Sequence, residues 1–362
     1  MKGDLAVHDI SRRNRNFRVV CGDGPSYLVK QGVTPEGASS VAREAEVQLF
    51  MDQTFDPQRT RDYIPALRDY DAATGVLVLD LVDGAIDLRN YHSRAGRFPL
   101  TPAKTLGTAL GWLHSNRPEL IPDGPQCFTL PPPWALSIHA PTLDSLPGKS
   151  QACVEVIKMV QFMPDFCEQL SRLESEWRHE TFIHGDLKWD NCLSYKGQKA
   201  SRRNKLAIVD WETAGFGDPC WDVGSALSDY LTFWVLSIPV TADSSLSRLP
   251  EMARYSLTVM QPAVRSFWDA YTSARGWGEL MATEQLLRSL RFAAARLVQT
   301  AFEQMQMRTE LTGNVVAMVQ LAQNIMKYPL KANDTLLGLN RIQRAESFVL
   351  PPEYHIGYRG SR

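Results

Sequence analysis

The sequence predicts an α+β fold of two lobes, a small N-terminal lobe built on an antiparallel sheet and a larger, helical C-terminal lobe. Three observations carry that expectation. Strand-like runs bounded by turn residues dominate up to Val82, helical periodicity dominates from Thr101, and 362 residues suffice for two units with cores of their own. The expected limits are 1–82 for the N-lobe, 83–345 for the C-lobe and 346–362 for a tail.

Residues 17–21 (FRVVC) and 26–31 (SYLVKQ) flank the turn cluster Gly22-Asp23-Gly24-Pro25 and read as a hairpin. In 39–51 (SSVAREAEVQLFM), serines precede strong helix formers with apolar residues at helical spacing, so a helix capped there should pack on the hairpin. Residues 75–82 (GVLVLDLV) form an aliphatic run ending at Asp83-Gly84, the pattern of a central strand entering a turn. Helical spacing returns over 101–115, where Pro102 takes an allowed first-turn position. Prolines at 122, 125, 131–133, 141 and 147 exclude regular structure from 122–150, and a loop of that length suggests a surface for a substrate or a partner protein. Helical patterns cover 152–177, and 221–327 is helix-rich, with Leu286, Leu287, Leu290, Ala294, Leu297, Val298, Ala301 and Phe302 as one core-facing stripe.

Lys and Arg total 39 against 40 Asp and Glu, so no global field gathers nucleic acid or anionic membrane, and neither is expected as a partner. The six cysteines are scattered without a metal or redox spacing, as in reduced cytoplasmic proteins. Residues 1–10 lack the basic-then-apolar order of a secretory leader, and the most apolar stretch, 230–240, is about half of the ~20 residues a membrane helix needs. A cytoplasmic protein is expected.

The chemistry concentrates in two segments. In FIHGDLKWDNCL an apolar pair precedes the turn His184-Gly185-Asp186, and Asn191 follows five residues after Asp186. Phosphoryl transfer needs such a pair, a carboxylate to orient an attacking hydroxyl and accept its proton and an amide oxygen to hold Mg2+ beside the phosphates. Asp186 suits the first role and Asn191 the second. Residues 206–211 (LAIVDW) then read as a buried strand that delivers Asp210 to the same cleft as a second Mg2+ ligand. Lys30, on the second hairpin strand, suits the α- and β-phosphates of a nucleotide.

HGDLKWDN, IVDWE and GDPCWDVGSAL together resemble the aminoglycoside phosphotransferase and choline kinase family, which has a protein-kinase-like fold. The resemblance implies Asp186 as catalytic base, Asn191 and Asp210 as Mg2+ ligands, and Asp222 as a support of the catalytic loop. It implies ATP or GTP as donor and a glutamate paired with Lys30, where Glu44 is favoured over Glu46 because it follows Arg43. His184 is expected to be structural. The glycine-free run 11–19 resembles the serine and asparagine form of the phosphate loop, with Asn14 and Asn16 as candidates, and Asp80, Leu81 and Val82 align with the strand and hinge that receive adenine through backbone groups. Trp211-Glu212 replaces the Phe-Gly that protein kinases carry after the metal-binding aspartate, so Glu212 is a candidate to assist the metal.

The acceptor is expected to be a hydroxyl-bearing small molecule. A cationic one would need extra carboxylates, for which Asp218, Asp222 and Asp229 lie near in sequence. One alternative is a ribosomal precursor peptide, since GDPCWDVGSALSDYLTFWVLS looks like family members from class V lanthipeptide and thioamide-peptide pathways. The other is a nucleotide-binding pseudokinase scaffold, which would require a lost catalytic group.

Overall fold

The computed structural model describes residues 5–11, 14–22, 24–117, 128–142, 148–196, 204–240 and 249–339. The expected tail at 346–362 lies outside them, as do parts of the proline-rich stretch.

The chain opens with β1 (Leu5–Asp9), β2 (Arg15–Cys21) and β3 (Tyr27–Gln31), then α1 (Pro35–Thr54), α2 (Pro57–Tyr63), β4 (Leu67–Asp71) and β5 (Val76–Asp80). The strands form one antiparallel sheet in the order β1-β2-β3-β5-β4. β2 and β3 are the expected hairpin. β1 is an addition, and all five of its residues are exposed, so it offers no alternation of buried and solvated positions from which to infer a strand. The cap of α1 also differs from expectation. Thr34 Oγ1 accepts from the Gly37 N–H at 3.1 Å and Pro35 presets the first turn, so the helix starts before Ser39 and Ser40, which lie inside it.

Two cores underlie the lobes. Val41, Ala45, Leu77 and Leu79 form a small cluster under the sheet, whereas Val47, Met51 and Phe55, further along α1, belong to the large core. α1 is thus shared, one end under the sheet and the other sunk in the helical body.

The larger lobe follows through β6 (Ile86–Asp87), α3 (Leu88–Ala95), α4 (Leu100–Leu113), α5 (Gln151–Gln161), α6 (Pro164–Ser175), β7 (Thr181–Ile183), β8 (Cys192–Lys196), β9 (Asn204–Ile208), β10 (Gly215–Gly217), α7 (Pro219–Leu236), α8 (Leu249–Met252), α9 (Leu257–Arg275), α10 (Glu279–Met305) and α11 (Gly313–Lys327). Two helices fill the expected span 152–177, because Pro164 cannot continue α5 and instead starts α6. The 230–240 stretch is the end of α7, which closes at Leu236. α4 and α9 pack closely where a side chain at Gly107 would fall on the Phe267 carbonyl oxygen. The described part of the proline-rich stretch is packed: Phe128, Ala135, Leu136 and Ile138 are buried, and the Leu130 carbonyl accepts from Trp177 Nε1 and His179 Nε2 at 3.0 and 2.8 Å.

α7 and α10 lie side by side and carry the polar groups that reach the loop between β7 and β8. α7 is buried along nearly its whole length. Among the described residues no helix is long and apolar enough to cross a membrane.

Candidate active site

Lys30 leaves β3 opposite Asn16 on β2 and Leu77 on β5. Its Nζ donates to both oxygens of Glu44 at 2.9 and 2.7 Å and to Asp210 Oδ1 at 3.1 Å, joining the sheet, α1 and a segment 180 residues away. Glu46 lies on the exposed side of α1. Burial opposes the Lys30 charge, but the two carboxylates outweigh it and hold its pKa above the ordinary lysine value. Burial likewise pushes the Glu44 carboxyl up, against the pull of Lys30. We describe the pair as ionised, since an ammonium between two carboxylates at hydrogen-bond distance keeps its proton.

Asp210 stands two residues past the end of β9 with φ 71°, the one non-glycine among the described residues in the left-handed region. The fold maintains a conformation that disfavours most side chains, a pattern concentrated at functional positions. Trp211 locks the turn, its Nε1 donating to the Ile208 carbonyl at 2.9 Å. Glu212 follows within the single turn Trp211–Thr213.

The loop between β7 and β8 is held mainly by its backbone. Asp222, near the start of α7 and fully buried, accepts from the N–H groups of His184 and Gly185 at 2.7 and 3.1 Å. Asp229, two turns along the same helix, accepts from the Trp189 N–H at 2.6 Å. Gly185 takes φ 81°, and a Cβ there would fall on the Thr213 carbonyl oxygen, so the position admits glycine alone without rearrangement. The His184 ring is buried, donates from Nε2 to the Val209 carbonyl at 3.0 Å and packs 4.7 Å from the Trp211 ring. His184 therefore braces the loop against the Asp210 segment. His114 of α4 supports Asp222 from behind, its Nε2 lying 3.3 Å from Oδ2 and its Nδ1 2.9 Å from the Tyr271 hydroxyl.

Asn191 donates from Nδ2 to the Asp186 carbonyl at 3.0 Å, and its own carbonyl accepts from the Val209 N–H at 3.0 Å. The first bond orients the amide and leaves its oxygen for a cation. The second places Asn191 beside the segment that ends in Asp210. Both carboxylate oxygens of Asp186 are engaged: Lys188 Nζ lies 2.6 Å from Oδ2 and Arg296 Nη2 2.8 Å from Oδ1. Burial raises the Asp186 pKa, and Arg296 followed by Lys188 more than reverses it, so the group sits below the ordinary carboxylate value. Lys188 also feels the Asp210 charge.

The remaining expected positions are partly engaged. The Asp80 N–H donates to the Ala66 carbonyl and the Leu81 N–H to that of Ser26, each at 2.9 Å, while Arg68 grips the Asp80 carboxylate at 2.6 Å with two nitrogens. Val82 keeps its N–H out of backbone pairing among the described residues. Asn16 adjoins Lys30 across the hairpin and Asn14 leans on Gly37 in the first turn of α1; the side-chain oxygens of both are buried without a partner among the described residues. Asp218, Asp222 and Asp229, named above as carboxylates for a cationic acceptor, are committed elsewhere. Asp218 takes two hydrogen bonds from Arg288 at 2.9 and 2.6 Å, Asp222 holds the loop, and Asp229 holds Trp189 and faces Arg89 Nη2 at 3.7 Å.

Sequence reasoning missed Arg296, Lys188 and Arg89. Lys188 stood inside the motif without a role. Arg296 had one signal, a charge inside an α10 segment (FAAARLVQTAF) that is otherwise apolar around nearly its whole circumference.

A sequence profile of the phosphotransferase enzyme family (APH) matches residues 5–255. The chain belongs to this family. A comparison with curated proteins finds no match. Among solved structures, a choline kinase from Cryptosporidium parvum Iowa II aligns with a TM-score of 0.55 at 13% identity over 92% of each chain, so the phosphotransferase shares its kinase-like bilobal fold. A choline/ethanolamine kinase family protein from Mesorhizobium loti aligns with a TM-score of 0.49 at 15% identity, over 91% of this chain and 90% of that one. A choline kinase from Streptococcus pneumoniae aligns with a TM-score of 0.46 at 13% identity, over 90% and 94%. The chain is thus a phosphotransferase by family, with a kinase-like fold.

Proposed function

We propose that this phosphotransferase moves the γ-phosphoryl group of ATP or GTP, with Mg2+, to a hydroxyl of a small molecule. The observation that carries the proposal is the convergence of Lys30, Glu44 and Asp210 on one side of the cleft with Asp186 and Asn191 on the other, joined through the Val209–Asn191 backbone bond. Lys30 is a fixed, charged donor for the α- and β-phosphates, and Glu44 keeps it from collapsing onto the loop. Asp186, ionised and braced, orients the acceptor hydroxyl and receives its proton as the new P–O bond forms and the bond to the nucleoside diphosphate breaks.

The residues present fit Mg2+. Asp210 offers one carboxylate and Asn191 an amide oxygen, hard oxygen ligands of the number that suits an ion completed by phosphates and water rather than by a protein cage. Consistent with that partial ligand set, the described residues hold no group of three or more His, Cys, Asp and Glu poised around a metal. When bound, the ion supplies charge neutralisation on the phosphates.

The test is nucleotide hydrolysis and calorimetric binding of Mg-ATP and Mg-GTP to the wild type and to Asp186→Ala. Expected are binding by both proteins and turnover by the wild type alone. Equal, negligible turnover in the two would favour a nucleotide-binding scaffold instead.

A further inference from the structure

Both oxygens of Asp186, the group that must meet the acceptor hydroxyl, carry a cation. The two cations differ in freedom. Lys188 is a third exposed (33%) and can swing away, whereas Arg296 is 4% exposed and seated over the Trp221 ring, 6.0 Å from its centroid. Arg296 is therefore a fixed guanidinium beside the reacting position, paired with Asp186 and, more distantly, facing Glu303 and Asp229. The α7 carboxylates that could have balanced a positively charged acceptor are spent on Arg288, on the loop N–H groups and on Trp189 with Arg89.

Resting on the phosphotransferase assignment proposed above, we infer that this enzyme selects an acceptor with a neutral or anionic group next to its reactive hydroxyl, and that Arg296 is the residue that enforces the selection. A cationic acceptor must bring its charge toward a guanidinium that cannot move off, whereas a hydroxyl flanked by neutral or negative groups meets Asp186 Oδ2 once Lys188 turns aside. That class leaves out cations such as choline, the substrate of the Cryptosporidium parvum kinase that shares this fold.

The test compares three small alcohols as acceptors with Mg-ATP: choline, its neutral carbon analogue in which a quaternary carbon replaces the nitrogen, and glycolate. In the wild type, kcat/KM for the neutral alcohol should exceed that for choline by about tenfold, the effect of a unit charge roughly 12 Å away at an effective dielectric constant of about 20, and that for glycolate, two unit charges away from choline, by about a hundredfold. Arg296→Gln should close the gap to within about twofold, and Arg296→Lys, which keeps the charge, should preserve it. Choline equal to or better than the others in the wild type overturns the inference, as does a wild type that treats all three alike, turned over or ignored, or an undiminished gap in Arg296→Gln. Acceptor-free hydrolysis of ATP, run alongside, reports on the assignment itself. Hydrolysis without charge discrimination sinks only the selection, and absence of hydrolysis and transfer together sinks the assignment.

Discussion

Asp186, Lys30 and Asp229 are three charged side chains whose surroundings set different behaviour. Asp186 is held ionised by Arg296 and Lys188, so replacing it with alanine should cut turnover by about 10²–10⁴-fold, the usual contribution of a positioned base, and leave the nucleotide Kd nearly unchanged; steady-state kinetics with calorimetry checks both. Lys30→Ala should do the reverse, weakening nucleotide binding by about 10- to 100-fold through loss of a charge-assisted contact, and should also lower stability because Glu44 is left buried without its partner. Asp229 has its pKa raised to about 6 by burial. A carboxyl whose folded pKa lies above its unfolded value gives stability that is complete below the unfolded pKa and is lost as pH rises through about 6. Urea unfolding between pH 4 and pH 7 should therefore cost the wild type roughly 2–3 kcal/mol relative to Asp229→Asn over that span, and parallel curves for the two proteins would refute it.

At the scale of elements, the loop between β7 and β8 and the crossing of α4 with α9 each depend on one missing side chain. Gly185→Ala must displace the Thr213 carbonyl or abandon φ 81°, and should remove turnover while most of the far-UV circular dichroism survives. Gly107→Ala should push α4 off α9 and destabilise the protein by about 1–3 kcal/mol in chemical denaturation, without touching the cleft. The motif between β7 and β8 was legible in sequence because its chemistry is contiguous, with His184, Asp186 and Asn191 in one short loop. Lys30 was legible from its place on the second strand of the hairpin, and Glu44 only through the family resemblance, since helix phase left Glu46 within reach as well. Arg296 was not, since its partner lies 110 residues away and nothing in local spacing encodes that meeting. The commitment of Asp218 to Arg288 was hidden for the same reason, and β1 because a strand solvated on both faces leaves no hydrophobic period.

For the whole molecule, α1 ties the sheet core to the helical core, and the Lys30–Asp210 contact closes the same connection through charge. A nucleotide seated between them, as proposed, would be bound by the assembled protein only. Mg-ATP at 100 times its Kd should therefore raise the unfolding free energy by about 2.7 kcal/mol, and Lys30→Ala, with binding weakened about 10- to 100-fold, should keep only about 0.4–1.4 kcal/mol of that gain at the same nucleotide concentration; a midpoint shift in urea measures it.

Asp222 and Asp229 hold the loop between β7 and β8 by the N–H groups of His184, Gly185 and Trp189, not by side chains. A main-chain N–H is the same on every residue but proline. The grip is thus indifferent to what partly exposed positions such as Lys188 or Asp190 carry, and a lineage can exchange those side chains while Asp186 stays in place. In evolutionary terms the loop is a socket with a fixed seat and interchangeable fittings.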